Sequence, residues 1–171
     1  MLIIHEPELF DSLLKIRLLT LAAQHTHDSH LKLIISSLDY SKDGICRTIL
    51  DKVLKDGSDS GKLYATQFLE LLARLEASDF RKWGTRMLVN QLYDPSPAVS
   101  MTASRILDKL CDNDVYLDAV IDLKPALLHF GDRGLLLYVR FLSLPKGFQN
   151  LKDSGFLQAE MNKWRSSWNL R

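Results

Sequence analysis

The chain has 171 residues, 46% hydrophobic and 25% charged, with a formal net charge of +1. That length holds about one domain and a substantial core. The balanced charge argues against a nucleic-acid binder, which carries a clustered basic excess to replace phosphate counterions.

Met1 to Ile4 is apolar, but His5, Glu6, Pro7 and Glu8 close the run, leaving it too short for a signal peptide or a membrane span. The chain therefore reads as soluble. A first helix is expected from Pro7, with Leu9, Leu13, Ile16 and Leu19 at helical spacing, ending near Ala23. A polar turn, Thr26 to Ser29, precedes a shorter helix over Leu31 to Leu38. Ser41 is placed to cap a third, with Ile45, Ile49, Leu50, Val53 and Leu54 on one face and Gly57 past its end.

The fourth helix is expected to begin near Asp59 or Ser60 and carries Leu63, Tyr64, Phe68, Leu71, Leu72 and Leu75. A fifth starts at Ser78, with Trp83, Met87, Leu88 and Leu92 as its apolar stripe. Ser96 and Pro97 suit the N-cap and first turn of a sixth, which carries Val99, Ala103, Ile106, Leu107 and Leu110. Asn113 or Asp114 caps a seventh.

Pro125 is read as opening a short helix, Gly131 to Gly134 as a turn with Asp132 capping the next helix, and Leu135 to Leu142 as a helix apolar on almost every face and therefore buried. Pro145 to Leu151 adds a turn or short helix, and Phe156 to Trp168 the last. No two-residue alternation competes, so the fold class is all-α in one helical domain. Starts near Asp28, Asp59, Ser96 and Gly131 recur every 30 to 40 residues or so, the range of helix-pair solenoids. The segment Asp94 to Leu107 resembles the proline-bearing second-helix start of HEAT and armadillo repeats. A HEAT/armadillo-like stack of helix pairs is the preferred architecture, with an irregular helical bundle as the alternative.

Motifs that carry chemistry are weak. Cys46 and Cys111 are far apart and read as reduced, buried thiols, which points to a cytoplasmic setting. His25, His27 and His30 with Asp28 form the one cluster near metal-ligand spacing, but they fall in a polar turn with no supporting cysteine. Gly57 to Lys62, GSDSGK, has three residues between its glycines where a Walker loop has four, and Leu63 where the loop needs Ser or Thr. Capping accounts for it. GDRG at Gly131 to Gly134 reads as a helix boundary in preference to an anion nest, leaving Arg133 an exposed handle or ion-pair partner. No catalytic constellation stands out, and neither a cofactor nor a metal is expected.

What remains is surface suited to partners. Arg81, Lys82 and Arg86 place at least two bases on one face of the fifth helix. Lys163, Trp164, Arg165 and Trp168 mix base and aromatic near the C-terminus, with the tryptophans four apart and able to pack together. The expected role of that face is docking onto the preceding helices or onto sequence beyond this stretch, with partner binding as the alternative. Peripheral contact with an anionic membrane through the two basic clusters is a weaker option.

Six segments carry a family resemblance in order: Asp39 to Ile45, Leu63 to Thr66, Trp83 to Asp94, Ile106 to Asp112, Lys124 to Phe148 (KPALLHFGDRGLLLYVRFLSLPKGF) and Gly155 to Trp164. Over residues 39 to 168 the chain resembles the Rictor (pianissimo) family, the large scaffold subunits of the second target-of-rapamycin kinase complex. The resemblance implies a middle piece of a much longer protein that is non-catalytic and cytoplasmic, with the target-of-rapamycin kinase and the other complex subunits as partners. It also implies kinship with the helical N-terminal module of Ras exchange factors. A small-GTPase-binding regulatory module is therefore the alternative function.

Overall fold

The computed structural model describes residues 28–168. The helix expected from Pro7 to Ala23, and His25 and His27 of the histidine cluster, lie outside the described residues. Within them the chain is all-α, with no strand: α1 Asp28–Ser36, α2 Ile45–Asp56, α3 Asp59–Arg74, α4 Phe80–Gln91, α5 Pro97–Leu110, α6 Asp114–Leu123, α7 Asp132–Phe141, α8 Pro145–Asp153 and α9 Phe156–Trp168. A 3-10 turn, Leu128–Phe130, precedes α7. The chain divides into two compact units, with the break after Lys109. The architecture is compatible with either a helix-pair stack or a helical bundle.

Several helix ends follow local chemistry. Ser58 Oγ accepts from the Gly61 amide, and Asn113 Oδ1 from the Val115 amide, each satisfying a donor that the first helical turn leaves unpaired. Pro145 occupies the first turn of α8, where its missing N–H costs nothing.

Other ends depart from expectation. Ser41 does not cap α2; its amide bonds Asp39 Oδ1, and Gly44 takes the cap position. A Cβ on Gly44 would sit 2.5 Å from the Asp39 carbonyl oxygen, so the turn closes only around glycine. Helix α4 begins at Phe80 and not Ser78, because Asp79 turns to φ +52° and the Ser78 carbonyl is used by Trp83 Nε1 at 3.0 Å. Pro125 opens no helix, and Asp132 is not a cap: Gly131, at φ +57°, closes the 3-10 turn and precedes α7 directly.

In the first unit α2, α3 and α4 pack against one another. Their shared core includes Leu50, Val53, Phe68, Leu69, Leu72, Phe80 and Leu88, joined by Leu31 and Ile35 of α1 and by Val99, Ala103, Ile106 and Leu107 of α5. Ile45, expected on the buried face of α2, is exposed at its first turn. Polar ties fix the arrangement: Lys62 of α3 meets Asp94, whose other oxygen accepts from the Ser96 amide, and both side chains are largely buried. The lysine of GSDSGK is thus a structural cross-link.

Glu70 of α3 receives Arg105 in a two-toothed pair and Lys109 as well. Burial pushes the Glu70 pKa up, but hydrogen bonds and charge from Arg105 and Lys109 outweigh it and hold the carboxyl below its ordinary value. A depressed carboxylate stabilises the fold above its unfolded pKa of about 4.3 and loses that contribution as pH falls toward the folded value. Because both partners are more than half exposed, the gain is about 1 kcal/mol or less. Glu70→Gln is therefore expected to lower the urea midpoint slightly at pH 7, with the gap to the unmodified chain shrinking as pH falls below about 4.3.

In the second unit α6, α7 and α8 pack together, and α9 attaches to α8. Leu117, Val120, Ile121, Leu127, Leu137, Phe141 and Leu151 form its core. Tyr138 staples the segment before α7: its hydroxyl donates to the Pro125 carbonyl at 2.9 Å and accepts from the Leu127 amide at 3.1 Å. Lys146 of α8 reaches Asp118 and Asp122 on α6, and Arg140 pairs with Asp112.

Helix α7 is not buried all round as expected. Leu137 and Phe141 are buried, whereas Leu136 and Val139 are 62% and 55% exposed and Leu135 and Leu142 are also exposed. A helix packed on one side by α6 and α8 buries one stripe whatever residues lie on the other.

Candidate functional site

The basic residues of α4 lie beside a groove in the first unit. Trp83 forms part of its floor, buried with one face stacked on Tyr40 at 5.7 Å and nearly parallel, and its edge against Phe80. Burial pushes the Tyr40 phenol well above its ordinary pKa, with a smaller contribution from Cys46, so it stays protonated. The groove runs between the turn after α1 and the turn joining α3 to α4, and encloses about 780 Å³.

Basic groups reach it from four segments of the chain. Lys82 and Arg86, one turn apart on α4, line one wall; Lys32 comes from α1, Lys42 from the turn and Arg47 from α2. The Arg47 guanidinium lies 5.3 Å over the Trp83 ring, a cation–π arrangement that fixes its head group. Lys32 pairs with Glu76 and Lys82 with Asp79, all on exposed surface. Among the described residues Lys42, Arg47 and Arg86 have no carboxylate partner. Arg81 is exposed on the same helix but does not line the groove.

Of the three α4 residues singled out in the sequence, the structure brings two to this groove and joins them to Lys32, Lys42 and Arg47. Sequence reasoning missed those three because they come from separate elements and share no local period.

The other candidate cluster is in the second unit. Every residue from Met161 to Trp168 is exposed, and no residue of α9 is buried. Trp164 and Trp168 are 70% and 83% exposed. Together with Met161 and Arg165 they line a shallow cleft on one side of the helix. Lys163 pairs with Glu160 on its own helix. The expected docking of this face onto preceding helices is not seen among the described residues: α9 is held at its start, where the Phe156 ring meets Tyr138 edge-on. Arg133 is exposed in the first turn of α7.

Among the described residues no group of three or more His, Cys, Asp or Glu side chains is placed to hold a metal ion. Cys111 is buried, Cys46 half-buried, and both are free thiols. No described helix is long and apolar enough to cross a membrane.

Comparison with known proteins decides the family. The family model described as "Rapamycin-insensitive companion of mTOR RasGEF_N domain" matches residues 79–171, more than half of the chain. The chain belongs to the Rictor family. The model for the middle domain of the same family matches residues 1–73. The human protein named "Rapamycin-insensitive companion of mTOR" is 45% identical over 154 residues, covering 90% of this chain and 9% of the relative. Protein pianissimo A of Dictyostelium discoideum is 44% identical over 142 residues, 82% of this chain and 12% of the relative. "Target of rapamycin complex 2 subunit ste20" of Schizosaccharomyces pombe is 33% identical over 146 residues, 84% of this chain and 11% of the relative. The chain thus spans about a tenth of the length of these curated relatives.

In this Rictor-family chain the junction between the two family models, residues 73–79, falls inside the first compact unit. It coincides with the turn from α3 to α4, where Leu75 and Ala77 are buried and Ser78 holds the Trp83 indole. The sequence boundary is therefore not a fold boundary: Trp83, on one side of it, packs on Tyr40, on the other.

Proposed function

We propose that the chain is a non-catalytic helical scaffold module of target-of-rapamycin complex 2, helping to hold the kinase and other subunits in a fixed geometry. The observation that carries this reading is the similarity to proteins named as subunits of that complex in Schizosaccharomyces pombe and Saccharomyces cerevisiae. Physical features fit it: the largely buried Lys62–Asp94 pair ties α3 to the turn before α5, and large apolar side chains stay exposed on α7 and α9. Clustered exposed aromatics are the residues that most often dominate binding energy at interfaces. Cytoplasmic placement, and at most peripheral membrane contact, complete the reading.

The test is capture of the tagged chain on each separately purified subunit of the complex. At least one subunit is expected to bind. The double variant Trp164→Ala with Trp168→Ala is expected to weaken that binding by about tenfold or more, since truncating a hot-spot aromatic costs about 2 kcal/mol or more. Its helical circular dichroism should be unchanged, because both rings are exposed. Failure to capture any subunit, together with accelerated nucleotide release from Ras-family GTPases, would replace the scaffold with an exchange-related module.

A further inference from the structure

The groove floored by Trp83 is a place where the tertiary structure concentrates charge that the sequence leaves scattered. Among the described residues its lining carries five basic and three acidic side chains, an excess of two positive charges. The acidic groups are already engaged: Glu76 with Lys32, Asp79 with Lys82, and Asp39 with the Ser41 amide that closes its own turn. Among the described residues Lys42, Arg47 and Arg86 line the groove with no carboxylate partner.

We propose that this groove is a recognition site for a phosphorylated segment of a partner protein. Three features select that occupant. A phosphorylated side chain carries about −1.5 to −2 charges and three strong acceptor oxygens, matching an excess of two positive charges better than a single carboxylate does. Arg47 is pre-oriented by the Trp83 ring, which lowers the ordering cost of an arginine–phosphate contact. The site is also concave, about 780 Å³, and its apolar lining residues Ile35, Leu75 and Trp83 are buried in its walls and floor. A flat anionic bilayer could reach the rim lysines but could not insert into such a groove, whereas a narrow extended segment can. The exposed Lys82–Asp79 pair is worth little by itself, so Lys82 is available to exchange its carboxylate for a phosphate. This proposal stands apart from the scaffold reading, because it requires no particular complex.

The test uses the 171-residue chain and two fluorescent nonapeptide libraries, one with a fixed central phosphoserine and one with serine in its place, otherwise randomised and depleted of Asp and Glu. Anisotropy should show the phosphorylated library binding at least tenfold more tightly. Arg47→Gln combined with Arg86→Gln should abolish the difference while leaving helical circular dichroism unchanged and lowering the melting temperature by no more than a few degrees, as the loss of one cation–π contact requires. Inorganic phosphate at the same phosphate concentration should compete only weakly, since it lacks the flanking chain. Equal binding of the two libraries, no binding of either, or undiminished preference in the double variant would overturn the proposal. So would equal competition by inorganic phosphate, which would mark a simple anion site. Sedimentation with phosphatidylserine vesicles that is lost in the double variant, without phosphopeptide preference, would assign the surface to membranes instead.

Discussion

Leu137→Asp is expected to unfold the second unit. Leu137 is 3% exposed in the core between α7 and its neighbours, and it lies on the one stripe of α7 that is covered. Truncation to alanine alone would cost about 2 to 5 kcal/mol, and a buried carboxylate with no partner adds a desolvation penalty of several kcal/mol more. A domain of this size holds about 5 to 15 kcal/mol in total, so the two costs together reach that reserve. The check is helical circular dichroism with urea titration. The matching control is Leu136→Asp, next in sequence but 62% exposed, which should stay folded with a change within about 1 kcal/mol. A folded Leu137→Asp, or an unfolded Leu136→Asp, would mean that the packed face of α7 has been assigned the wrong way round.

Gly134→Ala is the second substitution expected to do large damage, for a different reason. A methyl at residue 134 would stand 1.9 Å from the Leu127 carbonyl oxygen and 2.7 Å from its carbon. Both are backbone atoms, so no rotamer change relieves the clash. The Leu127 segment cannot retreat cheaply either, because the Tyr138 hydroxyl grips its amide and the Pro125 carbonyl. The expected loss is about 3 kcal/mol or more, at the top of the range for overpacking. Gly131→Ala supplies the contrast. Residue 131 has φ +57° but open space around it, so only conformational strain of about 1 to 3 kcal/mol is incurred. Urea midpoints should rank unmodified, Gly131→Ala, Gly134→Ala in falling order; the reverse order for the two variants would show that α7 does not approach Leu127 so closely.

Much of the helical map was legible because helix ends are local events. The starts expected near Asp59, Pro97, Asn113, Pro145 and Phe156 fall where a capping side chain, a proline or a preceding glycine acts on its immediate neighbours. Where the reading failed, a longer-range contact had claimed the group in question. Ser78 is passed over because its carbonyl serves Trp83, and Pro125 is not helical in a segment tied to Tyr138. The candidate binding residues were legible only in part. A four-residue spacing puts Lys82 and Arg86, or Trp164 and Trp168, on one face of a helix, but says nothing of what lies opposite.

The family and the all-α class follow from residue order and from periods of a few residues, both of which are local properties of the chain. Which side of α7 is covered is set by packing against its neighbours. Arg133 and Arg140 mark one polar side of that helix, but the apolar residues around the rest of it do not single out Leu137 and Phe141; packing by α6 and α8 covers those two and leaves Leu136 and Val139 in water. Likewise Lys32, Lys42, Arg47 and Arg86 become neighbours of one groove only when α1, α2 and α4 meet, because charges on separate helices share no pattern until packing brings them together.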